Sequence, residues 1–194
     1  LGIGPRTKVI TYAARFAGEK RPHYVVQGYE KMMKMLKEKE SKDVCLLMVG
    51  DGMLRKDVEE EAKKKGLKNV KFLGFKNQTE LVRIYAITDM FIRTDEPIKG
   101  DWGATTNEAL ACGLPVIISD TLGSQVDLIQ HGKNGYVYRF GDIDTMAKYM
   151  KKLVLDRKLL ESMKKKSKEI IENWGYREDV EGLRKSLQYI GKRK

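Results

Sequence analysis

The chain is poor in the residues on which metal and disulfide chemistry depend. It has 2 cysteines and 2 histidines among 194 residues. Cys45 and Cys112 sit in apolar surroundings without metal-ligand spacing, which disfavours both a disulfide framework and a thiolate metal site. They read as buried small hydrophobes in a reducing compartment. His23 and His131 offer little to a histidine metal site. No apolar run approaches the roughly 20 residues needed to cross a bilayer, and no signal peptide is visible. A cytoplasmic chain is therefore expected, with peripheral contact at the inner membrane face as its only membrane option. The first residue is Leu1 rather than Met, so a fragment or a processed chain is expected.

What is abundant is positive charge. The formal net charge of +11 permits contact with nucleic acid, an acidic membrane or a phosphorylated ligand. Much of the excess lies in the last third, in Lys164-Lys165-Lys166 and Lys192-Arg193-Lys194. A solvated helix face accounts for these runs. No motif interleaves aromatics with the lysines, which weighs against a nucleic-acid-binding module. The basic C-terminal helices fit an anionic membrane surface, where an enzyme would meet a lipid-linked acceptor. They lack the apolar stripe with a basic face that marks a dedicated membrane helix.

Apolar runs and helical periodicity alternate along the chain. Strands are expected at 8–14, 44–49, 69–73, 89–93, 116–118 and 136–138. Helices are expected from Pro22 to about Lys39, Met53 to Lys65, the Asn77 or Thr79 cap to about Tyr85, Ala104 to Cys112, and Ser124 to Gln130. Three more follow, from Asp142 to about Leu155, Arg157 to Asn173 and Arg177 to Ile190. Continuous apolar centres such as Val44-Cys45-Leu46-Leu47-Met48-Val49 suit strands buried on both faces. The pattern predicts an α/β fold: a Rossmann-like, doubly wound parallel sheet of about six strands, helices on both faces, and C-terminal helices beyond. Ligands of such sheets bind outside the carboxyl ends of the strands.

The stretch Gly100-Asp101-Trp102-Gly103, followed by Ala104 through Cys112, is a glycine-containing loop opening onto a short helix. Gly113 and Pro115 stop that helix ahead of the strand Val116-Ile117-Ile118. Glycines let backbone approach a ligand, and a helix N-terminus favours an anion. Glu108 lies one turn inside the helix, where a carboxylate accepts hydroxyl hydrogens and also complements the helix dipole.

Trp102-Gly103 with Glu108-Ala109-Leu110-Ala111-Cys112-Gly113 and Pro115-Val116-Ile117 resembles the donor-site motif of nucleotide-sugar glycosyltransferases with the GT-B fold, retaining family 4. Val49-Gly50-Asp51-Gly52, Val70-Lys71-Phe72-Leu73-Gly74 and Asn134-Gly135-Tyr136-Val137 follow the family in order. The resemblance covers nearly the whole chain, as a single C-terminal nucleotide-sugar-binding domain over 1–194. It implies that the N-terminal acceptor domain is absent and that the isolated domain binds donor without transferring sugar. It further implies transfer of a hexose from a nucleoside diphosphate sugar, as substrate, to an acceptor hydroxyl with retention, without cofactor or metal.

Negative charge gathers on the diphosphate leaving group in such a reaction, so fixed cations stabilise the transition state. By resemblance, Arg15 and Lys20 are the paired cations after the first strand, Arg gripping oxygens with its fork and Lys adding a point charge. Glu108 matches the acid that accepts from the ribose. Gly103, Ala104 and Thr105 would turn amides toward diphosphate or sugar, while Gly74 and Phe75 lie where the base meets backbone. Gly50 and Gly52 either keep the facing loop thin or serve as ordinary turn glycines. The family's first motif acid falls on Gly100, so Asp101 or, behind it, Glu96 is its candidate substitute for reading the sugar; solvated loop acids are the equal alternative. Trp102 either stacks on sugar or plugs the loop. Two other readings keep or abandon this fold: a donor-recruiting subunit or sugar-nucleotide epimerase relative, and the basic nucleic-acid module.

Overall fold

The apolar runs become strands whose side chains are buried on both faces of a sheet, as in β2 (Val44–Val49), where every residue is buried. The computed structural model describes residues 1–97 and 102–191. The other strands are β1 (Lys8–Ala13), β3 (Val70–Gly74), β4 (Met90–Arg93), β5 (Val116–Ser119) and β6 (Gly135–Tyr138). They form a six-stranded sheet in the order β3-β2-β1-β4-β5-β6. Every neighbouring pair is parallel. The order reverses between β1 and β4, which makes their carboxyl ends the topological switch point.

Successive side chains of each strand feed opposite layers, the period of two expected of a pleated strand. Ile10, Tyr12, Leu46, Met48, Met90 and Ile92 face one core. Against it lie α1 (Pro22–Met35), α3 (Arg55–Lys64), α7 (Ile143–Leu155) and part of α8 (Arg157–Ile171). Val9, Cys45, Leu47, Phe91, Val116 and Ile118 face the second core. There they meet α4 (Gln78–Ala86), α5 (Thr105–Ala111) and α6 (Ser124–Leu128). The methionines Met32, Met146, Met150 and Met163 are core filler, as their type suggests.

Several helix boundaries differ from expectation, most by one or two residues. α1 ends at Met35 because Leu36 turns to extended backbone, and a short α2 (Glu38–Ser41) restarts where the Glu40 carboxylate accepts from the Lys37 amide at 2.8 Å. α3 begins at Arg55 rather than Met53, with the Leu54 amide donating to the Phe16 carbonyl at 3.0 Å. Asn77, not Thr79, caps α4, accepting from the Glu80 amide at 3.0 Å.

The C-terminal helices carry a further correction. α9 (Tyr176–Gly191) buries none of its residues. Tyr176, Val180, Leu183, Leu187 and Ile190 recur every three or four positions, each at least 61% exposed. An apolar stripe is therefore present, although Glu178, Asp179 and Glu181 interrupt any basic face. In the Lys164-Lys165-Lys166 run, Lys164 is an internal brace, its ammonium 3.0 Å from Asp89. Among the described residues no helix is long and apolar enough to cross a membrane.

Candidate functional site

A cavity of about 400 Å³ opens at the carboxyl ends of β1, β2 and β3. Ala13, Val49 and Leu81 give it an apolar floor, and Arg15, Asp51 and Lys76 a charged rim. Phe75 stands on the same wall, 74% exposed, and Thr105 closes the far side with the first residue of α5. Apolar walls with a few convergent polar groups are the usual build of a small-molecule site, and the volume lies in that range. Arg15 is steered by Glu19, whose carboxylate accepts from it at 2.6 Å. The Glu19 carboxyl is held below the usual range, first by a backbone hydrogen bond and then by Arg15. Asp51 is likewise held ionised, by the Gly52 amide and then by the Arg55 guanidinium. Arg55 thus offsets the Asp51 charge on the rim.

Gly50 and Gly52 owe their identity to a close backbone approach. Their φ angles are +129° and +149°. A Cβ on Gly50 would stand 1.9 Å from the Ala14 carbonyl oxygen, and one on Gly52 2.5 Å from that of Phe16. The loops after β1 and β2 therefore touch without side chains between them. Gly50 still lines the cavity, so the thin loop is a consequence of the same contact.

Lys20 does not line this cavity. Its ammonium lies 2.6 Å from Asp95, whose carboxylate is 1% exposed just beyond the end of β4. Arg93 holds the same carboxylate with two parallel bonds, from Nε and Nη2, each 2.8 Å. Arg93 Nη1 donates to the Thr105 hydroxyl. Lys20 and the cavity wall are thereby joined through Asp95, Arg93 and Thr105. Neither Arg93 nor Asp95 has a sequence signature of its own; a charged pair at the end of an apolar strand was the only available hint. Glu96 pairs with Arg21 at 2.8 Å, both partners more than a third exposed. Asp101, like Gly100, lies outside the described residues.

The loop before α5 and α5 itself carry the remaining candidates. Gly103 takes φ +78°, with the Arg93 guanidinium directly beneath it. α5 is seven residues long and, among the described residues, no side chain caps it. Ala104 is the exposed N-cap. Glu108, half-buried, accepts from the Tyr85 hydroxyl at 3.0 Å. Burial first, and the Glu108 charge second, raise the Tyr85 phenol far above its ordinary value, so it stays a donor. Trp102 donates its indole N–H to Asn107 at 2.8 Å. Its ring rests on Trp174 beyond the end of α8, so it fastens the loop to the C-terminal segment. Gly74 has φ +68° and lies beside Arg55.

Residues 1–170 match the family model described as glycosyl transferases group 1. The chain belongs to that family. This group 1 chain is 29% identical over 171 residues to the N-acetyl-alpha-D-glucosaminyl L-malate synthase of Bacillus anthracis, covering 88% of itself and 42% of the relative. It spans less than half the length of the curated relatives it matches. Its fold superposes with TM-score 0.81 and 23% identity on a mutant of S. aureus TarM in complex with fondaparinux, alpha-GlcNAc-glycerol and UDP. That match covers 91% of this chain and 34% of the other. The C-terminal domain of a glycosyl transferase group 1 family protein from Francisella tularensis matches with TM-score 0.75 and 20% identity, covering 86% of this chain and 85% of that one. The six-stranded parallel sheet with helices on both faces is thus the fold expected from the sequence.

Proposed function

We propose that this chain is the donor-binding half of a retaining, family 4 glycosyltransferase of the GT-B architecture, and that the whole enzyme moves a hexose from a nucleoside diphosphate sugar to an acceptor hydroxyl. The observation that carries this reading is the cavity shared by Arg15 after β1, Gly50 after β2, Phe75 after β3 and Thr105 of α5. UDP in the TarM complex supports a nucleoside diphosphate as occupant. The base would lie against Phe75 and the Gly74 turn, the ribose hydroxyls toward Glu108, and the diphosphate between Arg15, Lys20 and the first amides of α5. Arg15 supplies a planar fork for phosphate oxygens, and its position on the rim lets it follow the leaving group. With these cations fixed in place, the reading needs no metal and no cofactor beyond the sugar nucleotide.

Sugar reading belongs in this account to Asp101 or Glu96, and acceptor binding to an N-terminal half. The exposed apolar stripe of α9 supports a larger assembly, because side chains such as Leu183 and Leu187 stay wet in the chain alone. The isolated domain is expected to bind nucleotide and transfer nothing. Calorimetric titration with UDP, GDP and ADP tests the reading. Arg15→Ala and Glu108→Ala are each expected to weaken the best-bound nucleotide about tenfold, the loss of one charged contact. Unchanged affinity in both variants would remove the donor-site reading.

A further inference from the structure

We propose that Asp95 is a positioning residue for the diphosphate end of the donor, acting through Lys20 and Arg93. The inference rests on the donor-site reading above. Asp95 is the shared partner of two cations, with Lys20 Nζ at 2.6 Å and the Arg93 fork at 2.8 Å twice. Arg93 and Asp95 are almost fully buried, while the Lys20 side chain keeps 17% of its surface in solvent.

The backbone around Lys20 is held as firmly as its ammonium. Its carbonyl accepts from the Tyr12 hydroxyl at 2.9 Å and the Thr94 hydroxyl at 2.8 Å. The Glu96 amide donates to the Glu19 carbonyl at 2.7 Å, closing β4's exit against the turn that carries Lys20. The Asp95 carbonyl is itself pinned by Ser119 Oγ at 3.1 Å. All of this lies where β1 and β4 diverge, the switch point of the sheet. Arg93 extends the network to Thr105, a residue of the cavity wall. Buried ion pairs seldom repay their desolvation in stability, and apolar side chains would fill the same space as well. Their use here matches a different need: cations held in one geometry before an anion arrives, so that binding costs no reorganisation.

The test uses the 194-residue chain as it stands and two ligands, the best-bound of UDP, GDP and ADP and its phosphate-free nucleoside. Asp95→Asn keeps the shape and removes the charge. The diphosphate is expected to weaken roughly tenfold while the nucleoside changes less than about twofold, since only the phosphates meet the cations. In the cycle with Lys20→Ala, the two losses should fall well short of additive, because Asp95 acts through Lys20. Asp95→Glu should recover part of the loss. Tighter diphosphate binding in Asp95→Asn would show that Asp95 merely neutralises Lys20 and would overturn the proposal. Equal losses for both ligands, or strict additivity with Lys20→Ala, would overturn it too. Failure of both Asp95 variants to fold would reduce the residue to a folding role. Absence of any nucleotide binding by the wild-type chain would instead sink the donor-site reading itself.

Discussion

Trp102 lies against Trp174, their ring centroids 5.7 Å apart and their planes 34° from parallel. The first belongs to the loop that opens the candidate site, the second to the segment joining α8 to α9. Tilted aromatic pairs at this distance contribute about 1 kcal/mol beyond the area they bury. The contact makes the C-terminal segment a support for the loop that carries Trp102.

Trp174→Ala should therefore lower stability by about 1 kcal/mol in urea unfolding. It should also speed chymotryptic cleavage after Trp102 in the native protein. Cleavage there at the wild-type rate would mean that the loop is held by other contacts.

Gly50→Ala and Gly52→Ala should each cost more than about 2 kcal/mol, with neither variant rescued by nucleotide. The reason is the carbonyl oxygens of Ala14 and Phe16, which occupy the space a methyl group would need. Near-wild-type unfolding midpoints would show that the two loops part easily and that the glycines serve the ligand alone.

Asp142 caps α7, accepting from the Thr145 amide at 2.9 Å. Hydrogen bonds from Thr145 hold its carboxyl below the usual carboxylate range. A folded value below the unfolded one stabilises at pH above the unfolded value and is lost as pH falls through the folded one. Asp142→Ala should thus cost about 1 kcal/mol at pH 7, the ordinary worth of a cap. The gap between variant and wild type should begin to narrow below about pH 4, the ordinary carboxylate value, and close as pH falls through the lower folded one. Urea titrations at both pH values measure it; a gap that persists in acid would assign the loss to something other than the ionised cap.

Cys45 and Cys112 are free thiols, and burial pushes both above their ordinary value. The Glu108 carboxylate adds to this at Cys112, against the opposing charge of Lys168. Both should react with a disulfide reagent more slowly than a free thiol at pH 8 and fully after denaturation. Glu108→Ala should speed the reaction at Cys112, because a carboxylate that disfavours the thiolate is gone. An unchanged rate would separate Cys112 from the candidate site.

Much of the architecture is written in local pattern. Val44 through Val49 is apolar at every position, which only a strand covered on both faces tolerates. Asn77 and Asp142 announce helix starts by side-chain chemistry that operates within three residues. The family resemblance located Arg15, Gly50, Phe75 and Thr105, and these four do meet around one cavity. By contrast, the stripe on α9 emerged only as a helix face without cover.

The sequence by itself determined the alternation of strands and helices, the two-faced burial of the sheet and the order of the site loops, because those follow from periodicity and turn chemistry over a few residues. Only the tertiary structure decided that Lys20 turns to Asp95, that Arg93 underlies Gly103, and that Trp102 leans on Trp174. Lys20 and Asp95 are 75 residues apart, and what unites them is the pairing of β1 with β4 across the switch point. A charge finds its partner through the geometry of the sheet, and no local signal in either segment carries that information.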